Sequence, residues 1–274
     1  MVMPAVSDQV EAVLLFGGDG TIHRHLGQLV KLGLPVLIVP AGSGNDFARS
    51  VGLPRMRDSL AAWRRFCARQ DNVRAVDLGV ITPLEARGGS PAPRESASGP
   101  RYFCCVAGVG LDAEVSRRAN LLPRWLRAHG GYVLSLAPTI FSFAPTPMKI
   151  LTAAENPGEE WAMRSDQPNI LAAFANTPTY GGGMKIAPRA KMDDGLLDVC
   201  VVGDVDAFKL FCMFPTVYFG RHLSIREVDY FTAARIRVET ENPLDVYADG
   251  EYVCRTPVEV GVQPRALRIV SCPA

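Results

Sequence analysis

The sequence predicts an α/β domain followed by an antiparallel β-sandwich domain, and two patterns carry this prediction. Residues 11–39 alternate in the order strand, helix, strand, which is typical of a parallel α/β sheet. After about residue 73 the chain changes to short β-like runs separated by turn-rich segments, the pattern of a sandwich or barrel. We therefore expect a first domain over residues 1–73, completed by the tail from about 263 to 274, and a second domain over 74–262.

The elements of the first domain follow from its apolar residues. Two apolar runs, 13–16 and 36–39, predict strands, and between them Ile22, Leu26, Leu29 and Val30 recur at helical spacing. Gly33 provides a C-terminal stop for that helix. A second helix is predicted from near Asp58, an acceptable N-cap, to Arg69. Its buried stripe is expected to consist of Leu60, Trp63, Phe66 and Cys67.

The second domain is predicted to consist mainly of strands. Two helical segments, near 112–143 and 205–221, interrupt them. Residues 82–100 are rich in Pro, Gly, Ser, Arg and Glu, so they predict a mobile surface loop. The predicted strands are Ala75–Ile81, Tyr102–Val106, Ile170–Ala175, Leu196–Val202, Arg235–Glu239, Leu244–Ala248 and Val258–Val262.

Composition narrows the classes of function. The 274 residues include 29 basic and 28 acidic side chains, a net charge of +1, which argues against nucleic-acid binding through a general basic field. Seven cysteines without a C-x-x-C pair predict reduced, buried thiols in a cytoplasmic protein. No secretory signal is visible, and the apolar stretch 132–143 is too short to span a bilayer. We expect a soluble protein, at most peripheral to a membrane.

Two glycine-rich turns are the most informative feature of the chain. Residues 17–21 read Gly-Gly-Asp-Gly-Thr, and Gly42, Ser43 and Gly44 follow the next strand. Such turns expose backbone N–H groups at the end of a buried strand, so together they predict a phosphate cradle in one crevice. Asp19 beside a phosphate indicates a role toward a metal ion, a hydroxyl or a base, although an N-cap is the alternative.

Beyond these turns the chain resembles the diacylglycerol kinase catalytic domain family, which includes bacterial lipid kinases and sphingosine and ceramide kinases. The shared segments are GGDGT at 17–21, PAGSGNDFAR at 40–49, VAGVGLDA at 106–113, YGGG at 180–183, IAP at 186–188, DDGLLD at 193–198 and DGE at 249–251. They span nearly the whole chain. The resemblance implies an α/β nucleotide-binding domain of the NAD kinase and diacylglycerol kinase type, a β-sandwich domain, and transfer of phosphate from ATP to a lipid hydroxyl.

The resemblance also implies roles for single residues. The nucleotide would contact Gly17, Gly18, Asp19, Gly20, Thr21 and Ser43. Glu251 would accept the proton of the lipid hydroxyl, positioned by the Asp249-Gly250 turn, and Asp19 would act with it in catalysis. Asp194 would hold Mg²⁺ together with the backbone carbonyls of Lys191 and Leu196, a donor set that suits a hard cation. Ordinary hairpin turns are the alternative for the DDG and DG segments.

Further expectations concern partners and completeness. The segment 121–148, with arginines nearby, is a candidate lining of a lipid cleft at the inner face of a membrane, and a homodimer is possible. The family places a strand, a helix and a second strand before GGDGT, so we expect a start upstream of Met1 or a poorly folding form.

An NAD kinase-like phosphotransferase and a non-catalytic nucleotide- or lipid-binding remnant remain as alternatives to a lipid kinase. His23 and His25 are expected to be ordinary helix residues.

Overall fold

The computed structural model describes residues 10–85, 101–122, 131–153 and 160–271, and of residues 131–134 it describes the backbone alone. The predicted loop is therefore outside the described residues from 86 to 100. The helices are α1 (Asp19–Leu32), α2 (Asp46–Ser50), α3 (Met56–Arg69), α4 (Leu111–Leu121), α5 (Gly131–Ser142) and α6 (Ala207–Met213), with 3-10 turns at Phe214–Phe219 and Arg221–Ser224. The strands are β1 (Val13–Gly17), β2 (Val36–Pro40), β3 (Val73–Pro83), β4 (Arg101–Phe103), β5 (Val106–Gly110), β6 (Thr146–Pro147), β7 (Lys149–Ala153), β8 (Ala162–Ser165), β9 (Pro168–Ala175), β10 (Leu197–Gly203), β11 (Val228–Ala233), β12 (Arg235–Glu239), β13 (Asp245–Ala248), β14 (Glu251–Arg255) and β15 (Val258–Val270).

Two sheets confirm the predicted fold class. An eight-stranded sheet runs β1-β2-β15-β12-β7-β8, with β3 paired to β15 and β4, and a seven-stranded sheet contains the path β11-β10-β9-β5-β13-β14. The β1–β2 pair is parallel, as expected for the α/β part. A hydrophobic core lies between the two sheets, as in a sandwich. It includes the fully buried side chains of Phe103, on the eight-stranded sheet, and Phe174, on the seven-stranded sheet.

The long strand β15 joins the α/β part to the sandwich. Over most of its length it pairs antiparallel with β3, and near its end Ile269 pairs parallel with Val36 of β2. Arg265 interrupts the strand with a positive φ of 53°, at the place where the register with β3 shifts. The same strand thus pairs both with β2, which precedes the second glycine-rich turn, and with the strands of the sandwich.

The helices of the first part pack as their apolar spacing requires, with two corrections to α3. Ile22, Leu26 and Leu29 of α1 are buried, and Gly33 closes the helix in the left-handed conformation at φ 63°. Helix α3 begins at Met56 with Arg55 at the N-cap position, so Asp58 lies in its first turn and is not the N-cap. The predicted stripe of α3 was wrong at Leu60, which is 49% exposed, and at the exposed Cys67. The buried face is Ser59, Ala62 and Phe66, and Leu60 lies about 100° of helix rotation away from Ser59.

The strand β1 lies at the end of its sheet and carries exposed apolar side chains. Among the described residues it pairs with β2 alone, and Leu14 and Phe16 are 40% and 65% exposed. Within the described part of the chain, no helix is both long enough and apolar enough to cross a bilayer.

Candidate active site

The two glycine-rich turns meet backbone to backbone. A Cβ added to Gly42 would lie 2.6 Å from the Cα of Gly18, and one added to Gly18 would lie 2.8 Å from the Cα of Gly42. Asn45, itself at φ 56°, ties the second turn by accepting from the N–H of Gly42 at 2.9 Å and donating to its carbonyl at 2.7 Å. The structure thus brings both turns into one crevice, and only glycines permit this approach.

Asp19 connects the first turn to the helix that follows the second. The N–H groups of Asp46 and Phe47 donate to its two carboxylate oxygens, each at 3.1 Å, so Asp19 caps the start of α2 rather than its own helix. Burial raises the pKa of Asp19, the two N–H donors oppose that rise, and the charges of Asp46 and Asp249 add to it. Asp46 in turn accepts from the N–H of Gly182 at 2.8 Å and from Arg49 at 2.7 Å.

Asp249 forms the floor of the crevice. It has a φ of 51° and accepts hydrogen bonds from the backbone N–H groups of Cys104, Cys105 and Val106 at 2.9, 2.8 and 3.3 Å. Its Oδ2 lies 3.0 Å from Nδ1 of His23, which projects from α1. Burial would raise the pKa of Asp249, but His23 and the N–H donors outweigh it and lower the pKa. His23 is therefore not the ordinary helix residue expected, because it joins α1 to the sandwich.

Glu251 lies two residues further on, beside the first turn. A Cβ added to Gly20 would lie 3.2 Å from its Oε1, and Arg24 of α1 is 3.5 Å from the same oxygen. The side chains of Glu251 and Arg24 are 40% and 71% exposed, so this pair is solvated. A carboxylate thus stands at the edge of the predicted phosphate cradle.

A cleft of ≈ 600 Å³ opens between these elements. It is lined by Gly18, Asp19, Gly20, Thr21, Ser43, Asp46, Cys105, Asp112, Tyr180, Asp249 and Gly250, among others. Of the residues implied to contact the nucleotide, Gly17 does not line the cleft. Its carbonyl accepts a hydrogen bond from the N–H of Ala41 at 3.0 Å. The cleft combines two glycine-rich turns with carboxylates, which suits a phosphate-bearing ligand and a cation.

The DDG turn is separate from the residues that line this cleft. Lys191 and Asp194 are exposed, and Oδ1 of Asp194 accepts from the N–H of Leu196 at 3.1 Å. The buried Asp77 of β3 holds the turn by accepting from the N–H groups of Gly195 at 2.8 Å and Arg265 at 2.7 Å. A carboxylate with backbone carbonyls beside it is an oxygen donor set that fits Mg²⁺.

An apolar pocket adjoins the cleft. Asp112 and Tyr180 line both, and the Tyr180 hydroxyl donates to Asp112 at 2.7 Å. The pocket, of ≈ 60 Å³, is otherwise lined almost entirely by apolar side chains, including Val115, Leu136, Ile140, Leu171, Met184, Ile186, Leu210, Met213 and Phe214. Of the side chains that the structure describes in the predicted segment 121–148, Leu136 and Ile140 line the pocket. Trp125 and Leu126 lie outside the described residues, and Leu121 and Phe141 are exposed.

Sequence reasoning missed four polar residues of this region. Asp77, Asp112, His23 and Tyr180 were not singled out as functional residues, although Tyr180 begins a recognised glycine-rich segment. The available signal was an acid inside an apolar run, as in Val76-Asp77-Leu78, since an acid there needs hydrogen-bond partners.

Two family models match the chain and cover complementary parts of it. Residues 1–81 match the diacylglycerol kinase catalytic domain, and residues 105–271 match the YegS C-terminal NAD kinase beta sandwich-like domain. A diacylglycerol kinase of Mycobacterium tuberculosis (strain CDC 1551 / Oshkosh) is 32% identical over 272 residues, covering 97% of this chain and 78% of that protein. The chain therefore belongs to the diacylglycerol kinase family of lipid kinases.

More distant relatives agree with this assignment. A diacylglycerol kinase of Bacillus subtilis (strain 168) is 24% identical over 250 residues, covering 89% of this chain and 72% of that protein. A crystal structure from Bacillus anthracis str. Sterne, assigned as a diacylglycerol kinase, superposes with a TM-score of 0.70 at 24% identity. It covers 97% of this chain and 78% of that one, which supports the fold.

Proposed function

We propose that this protein transfers the γ-phosphate of ATP to a hydroxyl of diacylglycerol or a related lipid. The observation that carries the proposal is the junction of a polar cleft and an apolar pocket at Asp112 and Tyr180. A phosphate donor suits the glycine-lined side, and part of an acyl chain suits the apolar side, whose volume is ≈ 60 Å³. A lipid bound across this junction would present its polar end toward Glu251.

In this proposal Glu251 accepts the proton of the lipid hydroxyl. At the same time the hydroxyl oxygen bonds to the γ-phosphorus, and the bond from that phosphorus to the bridging oxygen of the β-phosphate breaks. The products are the phosphorylated lipid and ADP. Glycine turns and the start of α1 bind the phosphates through backbone N–H groups, and Asp19 keeps the two turns in register. Mg²⁺, when bound, neutralises phosphate charge, and Asp194 with the carbonyls of Lys191 and Leu196 would hold a further ion.

The acceptor would reach this site from a membrane surface. Phe141 of α5 and Phe211 of α6 have ring centroids 5.6 Å apart, and with Phe208 they form an exposed aromatic cluster at 58%, 44% and 67% exposure. The same two helices supply Ile140 and Leu210 to the apolar pocket. An exposed aromatic cluster continuous with an apolar pocket is suited to insertion at a lipid interface.

The proposal is tested by transfer of labelled phosphate from ATP to a panel of lipids in mixed vesicles, with NAD as a competing acceptor. We expect labelled lipid, and about a 10²–10⁴-fold loss of turnover in Glu251→Gln. Glu241→Gln, an exposed acid after β12, is the matched control and should retain activity. Folded protein that labels NAD and no lipid would refute the proposal.

The membrane surface has its own test. Phe208→Ser with Phe211→Ser should reduce sedimentation with vesicles of anionic lipid, whereas Met163→Ser should not. Met163 is 52% exposed but lies on β8, at the end of the eight-stranded sheet, and not on α5 or α6. Equal sedimentation of both variants would exclude the aromatic cluster as the docking surface.

A further inference from the structure

A pair of adjacent thiols lies beneath the floor of the cleft, and the proposed phosphoryl transfer does not use it. Cys104 and Cys105 are 0% and 2% exposed, and their Sγ atoms are 4.0 Å apart. The Cys104 thiol also donates to Oδ2 of Asp249 at 3.4 Å. One ligand atom from each of these three residues falls within 4.8 Å of the others.

A fourth donor faces the same carboxylate. Nδ1 of His23 lies 3.0 Å from Oδ2 of Asp249, so α1, the link between β4 and β5, and the turn before β14 all contact this carboxylate. The set comprises two sulfur atoms, one imidazole nitrogen and one carboxylate oxygen. Soft divalent cations prefer such a mixed set with thiolates over the all-oxygen sets that bind Mg²⁺.

We propose that Cys104, Cys105, His23 and Asp249 form a binding site for a thiophilic divalent cation such as Zn²⁺ or Cd²⁺. In a tetrahedral zinc site the metal–ligand distances imply sulfur–sulfur, sulfur–oxygen and nitrogen–oxygen separations of about 3.8, 3.5 and 3.4 Å. The corresponding separations here are 4.0, 3.4 and 3.0 Å. The two sulfur atoms and the carboxylate oxygen, which lie within 4.8 Å of one another, need only small shifts to enclose an ion, whereas the imidazole of His23 must move toward the sulfur atoms to complete the set.

In the metal-free chain these four groups are connected by hydrogen bonds. On binding, each thiol releases its proton to solvent as a sulfur–metal bond forms, and His23 coordinates through the lone pair of a deprotonated Nδ1. No oxidant or reductant takes part. The backbone N–H groups of Cys104, Cys105 and Val106 already orient the carboxylate, as outer hydrogen bonds do in metal sites.

The ion would enter from the cleft, because Cys105 and Asp249 line it. Only Gly250 separates Asp249 from Glu251, so a bound ion would shift the turn that carries Glu251 and inhibit transfer. This inhibition rests on the proposed function, whereas the site itself does not.

Cadmium binding tests the site through a signal independent of activity. The exposed Cys67 and Cys212, and Cys272 near the end of the chain, are first replaced by serine to remove competing thiols. Titration of this chain with Cd²⁺ is followed by the ultraviolet charge-transfer absorption of cadmium–thiolate bonds. We expect one ion per chain with the absorption of two thiolates.

Variants identify the ligands. Cys104→Ser and Cys105→Ser should each lose half of the absorption and more than about tenfold in affinity, since even outer-shell partners contribute that much. His23→Gln should weaken binding while keeping both thiolate bonds, and Cys200→Ala, another buried thiol on β10, should bind like the parent. Circular dichroism checks each fold, and alanine replaces serine where a variant does not fold.

The outcomes separate the two proposals. Unchanged absorption in the double variant of Cys104 and Cys105, or no absorption in the folded parent chain, would overturn the site. Cadmium binding by a chain that phosphorylates no lipid would leave the site standing and defeat the proposed function. A lipid kinase that retains full activity with the cation bound would overturn the inhibition alone.

Discussion

Gly42→Ala is the sharpest test of how the two glycine turns work. Its Cβ would meet the Cα of Gly18 at 2.6 Å, the N of Gly18 at 3.2 Å and Oδ1 of Asn45 at 3.0 Å. Carbon atoms in favourable contact are about 3.5–4.0 Å apart, so the turns must separate by roughly 1 Å. Because the main obstacle is backbone rather than a flexible side chain, rotation of a side chain cannot relieve it.

The expected cost of this overpacking is about 1–3 kcal/mol of stability. If the separation also misaligns the phosphate-binding N–H groups, a similar loss in ATP binding corresponds to roughly 5–150-fold in Kd. Urea denaturation and isothermal titration with ATP measure the two effects separately. Stability and ATP affinity should fall together, because a single contact between the two turns controls both quantities.

Gly27→Ala is the matched control. Gly27 lies within α1, and a Cβ there would have no heavy atom within 4 Å. Alanine should therefore raise stability by about 0.5–1 kcal/mol through its better helix propensity. If Gly42→Ala binds ATP and unfolds like the parent while Gly27→Ala behaves as expected, the contact between the turns does not shape the cleft.

Three further predictions concern single side chains. Asp19→Asn turns an N–H donor toward the capped start of α2 and should cost about 1–3 kcal/mol in urea denaturation; an unchanged midpoint would contradict the capping role. Burial lowers the pKa of His222 from 6.5, so its neutral ring stabilises the fold fully above pH 6.5 and less as the pH falls through the lowered pKa. His222→Gln, which keeps a donor for the carbonyl of Ile186, should flatten the pH dependence of stability below pH 6.5, and an unaltered pH profile would exclude this source. Arg24→Gln should change the salt dependence of transfer more than the fold, because its pair with Glu251 is exposed; equal salt slopes would count against any role in the cleft.

The α/β part could be predicted well because local chemistry determines it. The apolar runs and the helix that ends at Gly33 each follow from short-range spacing, and the approach of the two turns requires glycine. The predicted strand Tyr102–Val106 is divided into β4 and the start of β5, and β6 was missed. The short strands β7, β8, β11 and β14 were missed as well. They are partly exposed and mix polar with apolar residues, so their pairing depends on neighbours distant in sequence.

The candidate site was predictable only as separate motifs. The hydrogen bond between His23 and Asp249 joins residues 226 positions apart, and that between Asp112 and Tyr180 spans 68. Nothing in the local sequence distinguishes these side chains from a solvated helix residue or a core aromatic. Family resemblance identified the DGE segment, and the tertiary structure shows which groups Asp249 holds.

Four of the carboxylates in or beside the cleft fall into two kinds, which explains why acids accompany a phosphate cradle. The charges of Asp19, Asp46 and Asp249 are each met by backbone N–H groups, from α2, from Gly182 and from the segment after β4. Hydrogen bonds of this kind spread the negative charge over the backbone and fix the loops that donate them. Glu251, by contrast, is 40% exposed beside a solvated arginine. The first three therefore build the cleft, which leaves Glu251 as the acid to which the proposed function assigns proton exchange with a ligand.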